Sequence, residues 1–169
     1  MGHDTITAGQ YRSGPHRHIT SLDGGFLRGV PGTRGEKMNA TLVRGGSDWI
    51  LFDESTKTAH LDVRTQGRTP SGECVFIHYT GFLGIDEAAE KFMAWSPDAQ
   101  TTEFGAHHWW AGPIIEASGM FLTRMFDSAL TLLDPEFAWV KTTPFVGRGR
   151  WFRQGDIQAV EYEIYEVCN

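Results

Sequence analysis

Cysteine is nearly absent: Cys74 and Cys168 are the only two in 169 residues. Two are too few for a disulfide scaffold and lack zinc-ligand spacing, which points to a reducing compartment. Basic charge is also scarce, with 15 Lys plus Arg against 21 Asp plus Glu and a formal net charge of −6. That argues against a nucleic-acid binder, which needs a basic surface to displace counterions from phosphates. No apolar run approaches the length of a bilayer span. The opening Met1-Gly2-His3-Asp4-Thr5-Ile6 has no apolar signal core, and Ile6 stands where a myristoylation site wants Ser or Thr. The expected location is cytoplasmic, with no membrane partner.

Cofactor motifs are missing too. Phe145-Val146-Gly147-Arg148-Gly149-Arg150 tempts a phosphate reading, but it has neither the Walker Lys-Ser/Thr nor the dinucleotide spacing. A strand bend relieved by glycine accounts for it better. There is no HExxH, no CxxC and no GxSxG, so neither a zinc site nor a serine nucleophile is expected. His16 and His18 point the same way in a strand, yet two ligands do not make a zinc site. The expectation is no metal and no cofactor.

What the chain does have is glycine (20) and aromatics (6 Trp, 11 Phe, 4 Tyr). Short alternating segments between glycine turns predict strands at 16–20, 39–44, 48–53, 58–65, 73–82, 119–126, 143–152 and 157–167. The Gly45-Gly46 pair is expected to break the second segment from the third. Ile85, Ala88, Ala89, Phe92 and Met93 fall at helical spacing, with acids towards the start, which predicts one short helix over 86–95. Residues 98–113 read as a loop, and 134–139 as a brief turn or helical piece. Eight or more antiparallel strands in one domain hide their edges best by closing. The fold expected is mainly β, a single antiparallel β-barrel of about eight strands with one short helix. Residues 1–15 read as a flexible arm and 16–169 as the barrel domain.

Candidate chemistry lies on two strands. In His60-Leu61-Asp62-Val63-Arg64 a period of two puts His60, Asp62 and Arg64 on one face. That face is either a solvated exterior or, turned inward, a paired site in which Asp62 and Arg64 hold an oxygen and His60 carries a proton. On the next strand His78 shares a face with Cys74 and Phe76, opposite Val75, Ile77 and Tyr79. It is either a hydrogen-bonded structural histidine or a general base beside Asp62. Asp62, Arg64 and His78 are therefore the catalytic candidates. Trp49, His60, Tyr79, His108, Trp109, Trp110 and Phe121 are the candidate substrate-binding residues. The cluster His107-His108-Trp109-Trp110 is expected to cap the mouth of a pocket as an apolar lid.

Several landmarks together carry a family resemblance. They are Gly24-Gly25-Phe26 with Gly29, Arg44-Gly45-Gly46-Ser47-Asp48-Trp49, Leu61-Asp62-Val63-Arg64, Thr69 to Gly72 and Tyr79-Thr80-Gly81. Gly119-Met120-Phe121, Phe137-Ala138-Trp139-Val140, Phe145 to Gly149 and Glu161 to Val167 continue the order. Across roughly residues 16–167 the sequence resembles domain-of-unknown-function family 3237. The resemblance implies an antiparallel barrel similar to the allene oxide cyclase group, whose barrels bind apolar small molecules and steer cyclisations without a cofactor. It also maps the family's Asp-x-Arg pattern onto Asp62 and Arg64.

The function this implies is a cofactor-independent cyclase, isomerase or dehydratase acting on a hydrophobic polyketide- or terpenoid-type intermediate. The alternative is a binding protein that carries such a molecule unchanged. A homo-oligomer, most simply a dimer, is expected because 48–53 and 119–126 are apolar on both faces.

Overall fold

The computed structural model describes residues 5–10, 14–118 and 137–168. Nine strands form one antiparallel sheet: β1 Thr5–Gln10, β2 His16–Leu22, β3 Gly25–Arg28, β4 Asn39–Asp53, β5 Thr58–Arg68, β6 Cys74–Gly84, β7 Trp109–Ser118, β8 Phe145–Gln154 and β9 Ile157–Glu166. The spatial order is β1-β2-β4-β5-β6-β7-β8-β9, with β3 paired to β4 beside that path. Eight strands thus curl into a half-barrel. Among the described residues no pairing joins β1 to β9, so the closed cylinder expected from edge protection is not what these strands form.

Three boundaries differ from expectation. The segment read as an arm contains β1, which pairs with β2 through Thr5↔Thr20 to Gln10↔His16. Gly45-Gly46 does not break a strand. Val43 pairs with Gln66 and Ser47 with Arg64, so β4 carries two extra residues in a bulge within one fifteen-residue strand. Gly45 supplies the left-handed φ of 112° there, where a side chain would be strained. Because two residues are inserted rather than one, the alternation is preserved. Ala40, Leu42, Gly46 and Asp48 stay on one face. Finally, the 98–113 loop ends early, since Trp109 and Trp110 already belong to β7. The predicted strand at 119–126 lies outside the described residues.

The sheet has an inner face and an outer one. On β5 the inner residues Ala59, Leu61, Val63 and Thr65 are buried, while His60 and Arg64 are exposed. Each end of the inner face is covered. The helix α1, Glu87–Met93, is capped by Asp86, whose carboxylate accepts the Ala89 N–H at 2.9 Å, satisfying a donor the first turn leaves open. It drives Ala89 and Phe92 against Leu61, Leu83, Trp109 and Trp151. At the other end a 3₁₀ turn, Ala138–Thr142, sets Val140, with Phe137, against Ala40, Val75, Ile77 and Ile115. Tyr79 touches both clusters and so occupies the layer between them.

Candidate functional site

The register draws one row across the inner face in this middle layer. Asp48 of β4 faces Val63 of β5, Val63 faces Tyr79 of β6, and Tyr79 faces Pro113 of β7. Opposite residues in adjacent strands share a face, so Asp48 stands on the buried side with Ile50 and Phe52. Tyr162 of β9 lies outside that register, paired with Gly149 of β8 beside Trp109, but its ring reaches the row. The Tyr79 and Tyr162 rings meet edge to face with centroids 5.1 Å apart.

Gly149 lets this packing occur. A Cβ there would lie 2.4 Å from the Trp109 ring, so only glycine admits the indole at this point. Trp109 Nε1 donates to Tyr162 Oη at 3.0 Å. The Tyr79 phenol lies against Tyr162 through the ring contact; burial raises the Tyr79 pKa, and this proximity adds to the rise.

Burial dominates the electrostatics of this row. It pushes the Asp48 carboxyl up from 3.8 to about 7, with the Asp62 carboxylate adding repulsion and the Asp62 N–H opposing. That N–H reaches Asp48 Oδ1 at 3.4 Å. Burial likewise holds both tyrosines above the ordinary phenol range, and the Asp48 charge adds to this. A carboxyl that changes protonation near neutrality beside two neutral hydroxyls is equipped for proton transfer.

The candidates named from sequence fall elsewhere. Asp62, Arg64 and His78 come together as expected, His78 Nε2 lying 3.2 Å and Arg64 Nη2 3.8 Å from Asp62 Oδ1. The group is on the outer face, however, and its expected inward orientation is overturned. Leu61 and Val63 point inside, because the neighbouring rows of β4 and β6 bury their apolar residues on that side. The Asp62 and Arg64 side chains are 39% and 58% exposed, where an ion pair contributes at most about 1 kcal/mol.

Trp110, 44% exposed, is on the outer face opposite Phe82, whereas Trp109, 2% exposed, is core. Neither forms a lid. His60 and Trp110 meet at an open outer depression of about 540 Å³ with Thr80, Phe82 and Gly112. Trp49 is also exposed, its indole donating to Ser47 Oγ at 2.8 Å. His108 packs against Phe82 in a tilted ring contact with centroids 5.3 Å apart. His107 is bound to the helix cap, its Nδ1 at 2.5 Å from Asp86 Oδ2. Burial works against the Asp86 charge, but the Ala89 N–H and His107 overcome it and hold that carboxyl below its usual range. His16 and His18 do share the inner face, opposite Phe52 and Ile50. Phe121 lies outside the described residues. Of the candidates, Tyr79 alone is in the inner row.

Asp48 and Tyr162 were missed, although alternation signals both. Asp48 shares a face with Ile50 and Phe52, and Tyr162 shares one with Ile164 between outward Glu161 and Glu163.

Among the described residues, no helix is long and apolar enough to cross a membrane, and no group of three His, Cys, Asp or Glu is placed to hold a metal ion. No curated protein matches the chain significantly. Eleven solved chains match it, and three of them show the shared fold. A protein of unknown function from Clostridium acetobutylicum ATCC 824 is 16% identical, with TM-score 0.65 over 98% of this chain and 90% of that one. A conserved protein of unknown function from Rhodopseudomonas palustris is 18% identical, with TM-score 0.65 over 98% and 89%. A β-barrel-like protein from Acinetobacter baumannii AYE is 19% identical, with TM-score 0.61 over 96% and 85%. The family model described as "Protein of unknown function (DUF3237)" matches residues 2–167, and the chain belongs to that family.

Proposed function

We propose that the protein is a cofactor-independent cyclase, isomerase or dehydratase of the cytoplasm. Its substrate is a hydrophobic biosynthetic intermediate of polyketide or terpenoid type, held against the inner face, as in allene oxide cyclase-like barrels. The observation that carries this reading is the inner row itself, with Asp48 in register with Val63, Tyr79 and Pro113, and the Tyr162 ring against Tyr79. An apolar wall folds a flexible substrate into a reactive conformer, and a carboxyl poised near neutrality moves the proton. The outer Asp62 group is the weaker candidate, because solvent screens it and no closed, water-excluding surface surrounds it.

Turnover of candidate intermediates by the purified protein tests the reading. Asp48→Asn is expected to lower kcat by about 10²- to 10⁴-fold, and Asp62→Asn by only a few-fold. Activity of the wild type should rise with pH through a midpoint near 7, as Asp48 ionises to act as the base. The reverse ranking of the two variants would return the site to the outer face. The alternative is a carrier with the same apolar inner face. Native mass spectrometry separates them: a co-purifying ligand returned unchanged, without turnover, would identify a binding protein.

A further inference from the structure

We propose that the open depression on the outer face is a saccharide site. It takes an uncharged sugar ring that stacks on Trp110 and Phe82 and bonds to His60 and Thr80. This site is separate from the inner row and does not depend on it. The argument starts from Gly112. That residue sits in the interior of β7 without a left-handed backbone, and a Cβ placed on it would meet nothing within 4 Å. Gly81 and Gly149 make the contrast, since a Cβ there would lie 2.1 Å from the Trp110 carbonyl oxygen or 2.4 Å from the Trp109 ring. Glycine weakens the strand that contains it. Where neither a bend nor a neighbour in the fold requires it, it marks a place that another molecule approaches.

The rows around Gly112 give that place a shape. Thr80 of β6 stands opposite Gly112 in the register. In the next outward row His60, Phe82, Trp110 and Arg148 follow one another across β5 to β8. Rows on one face are about 7 Å apart and neighbours within a row about 5 Å. Two aromatic rings therefore stand side by side as a wall above a floor of small residues. That wall is uncovered. Trp110 and Phe82 are exposed, and Arg148 is drawn away towards Glu163 and the Tyr165 ring.

The lining selects the chemical class. No Asp, Glu, Lys or Arg lines the depression, so nothing there holds an ion. The polar side chains it does offer are His60 and Thr80, and neither is hydrogen-bonded through its side chain to any of the described residues. A neutral imidazole and a hydroxyl each donate one hydrogen bond and accept another, which is what an alcohol group also does. The C–H bonds on one face of a sugar ring are slightly positive and suit the electron-rich face of an indole or phenyl ring. The depression is open, so its ligand keeps one side in water. An apolar molecule would stay half wet there, whereas a sugar loses only the hydration that its partners replace.

Saturation-transfer NMR with neutral trisaccharides of glucose, mannose, galactose and xylose tests the site. The protein is kept dilute enough to scatter as the 18.9 kDa monomer, because a second copy on this face would compete. At least one trisaccharide is expected to bind, with its ring C–H protons saturated most strongly. Sorbitol, which has the hydroxyls without the ring, should show no effect. Gly112→Val is the sharpest variant. A β-branched residue suits a strand and meets nothing at this position, so its denaturation midpoint should be no lower than that of wild type. Its methyl groups fill the depression, however, and binding should be lost. Trp110→Ala should weaken binding at least tenfold and Thr80→Val about fivefold. Phe26→Ala, an exposed ring on β3, should leave it unchanged. Binding that survived Gly112→Val at full strength would overturn the site. Absence of binding by all four sugars would overturn it too, and loss of a dimer in Gly112→Val would then identify a second copy as what fills the space.

Discussion

Asp48 and Thr65 sit two rows apart in register terms yet carry opposite lessons about burying a polar group. Asp48 keeps its proton to about pH 7 in the fold but only to 3.8 in the unfolded chain. Below 3.8 both states are protonated, and the group makes no difference. Between 3.8 and 7 the folded chain holds a proton the unfolded chain has released, so stability falls as pH rises. Above 7 the full cost of a half-buried charge is present. Asp48→Asn should therefore be more stable than wild type at pH 8, by on the order of 1–3 kcal/mol, with the gain vanishing near pH 4. Denaturant titrations at several pH values measure this. Thr65 is 4% exposed, and its Oγ1 has no hydrogen-bond partner. Thr65→Val keeps the shape and removes the unsatisfied hydroxyl, which should raise the denaturation midpoint by an amount equivalent to about 1 kcal/mol.

The strands β4, β5 and β6 show what alternation can and cannot decide. It assigned His60, Asp62 and Arg64 to one face and Leu61 and Val63 to the other, and the His78–Asp62 contact followed from strand adjacency. It could not say which face was inside. That depends on the summed apolar rows of neighbouring strands and on what covers each end. On β5 alone the count is nearly balanced. The helix was legible because spacing, the cap at Asp86 and first-turn acids agreed. The bulge at Gly45-Gly46 was not, since two glycines serve a break and a bulge equally well. The two faces still communicate through the sheet, because the Asp62 carboxylate raises the Asp48 pKa while its N–H lowers it. Asp62→Asn removes the repulsion and keeps the backbone bond. It should move the Asp48 midpoint downward, by less than about one pH unit for a pair separated by the sheet, as read by carboxyl ¹³C shifts.

For the molecule as a whole, the outer face carries Phe76, Phe82, Trp110 and Ile114 on adjacent strands, each between 38% and 54% exposed. Exposed apolar side chains at this density on one face suit association with a second copy. Light scattering is expected to give twice the monomer mass of 18.9 kDa, with Trp110→Glu returning it to that value; a monomer at all concentrations would remove the dimer.

A strand has a reading frame of two, and the bulge in β4 sets that frame for the sheet. Its two extra residues keep Ala40 and Asp48 in phase on one side. Deleting Gly45 alone would shift the frame by one. The sheet would have to choose between hiding Asp48 and hiding Trp49, turning one half of β4 inside out. Deleting Arg44 and Gly45 together would restore the phase. The shorter deletion should therefore be the more damaging of the two, an order that chain length alone would not give.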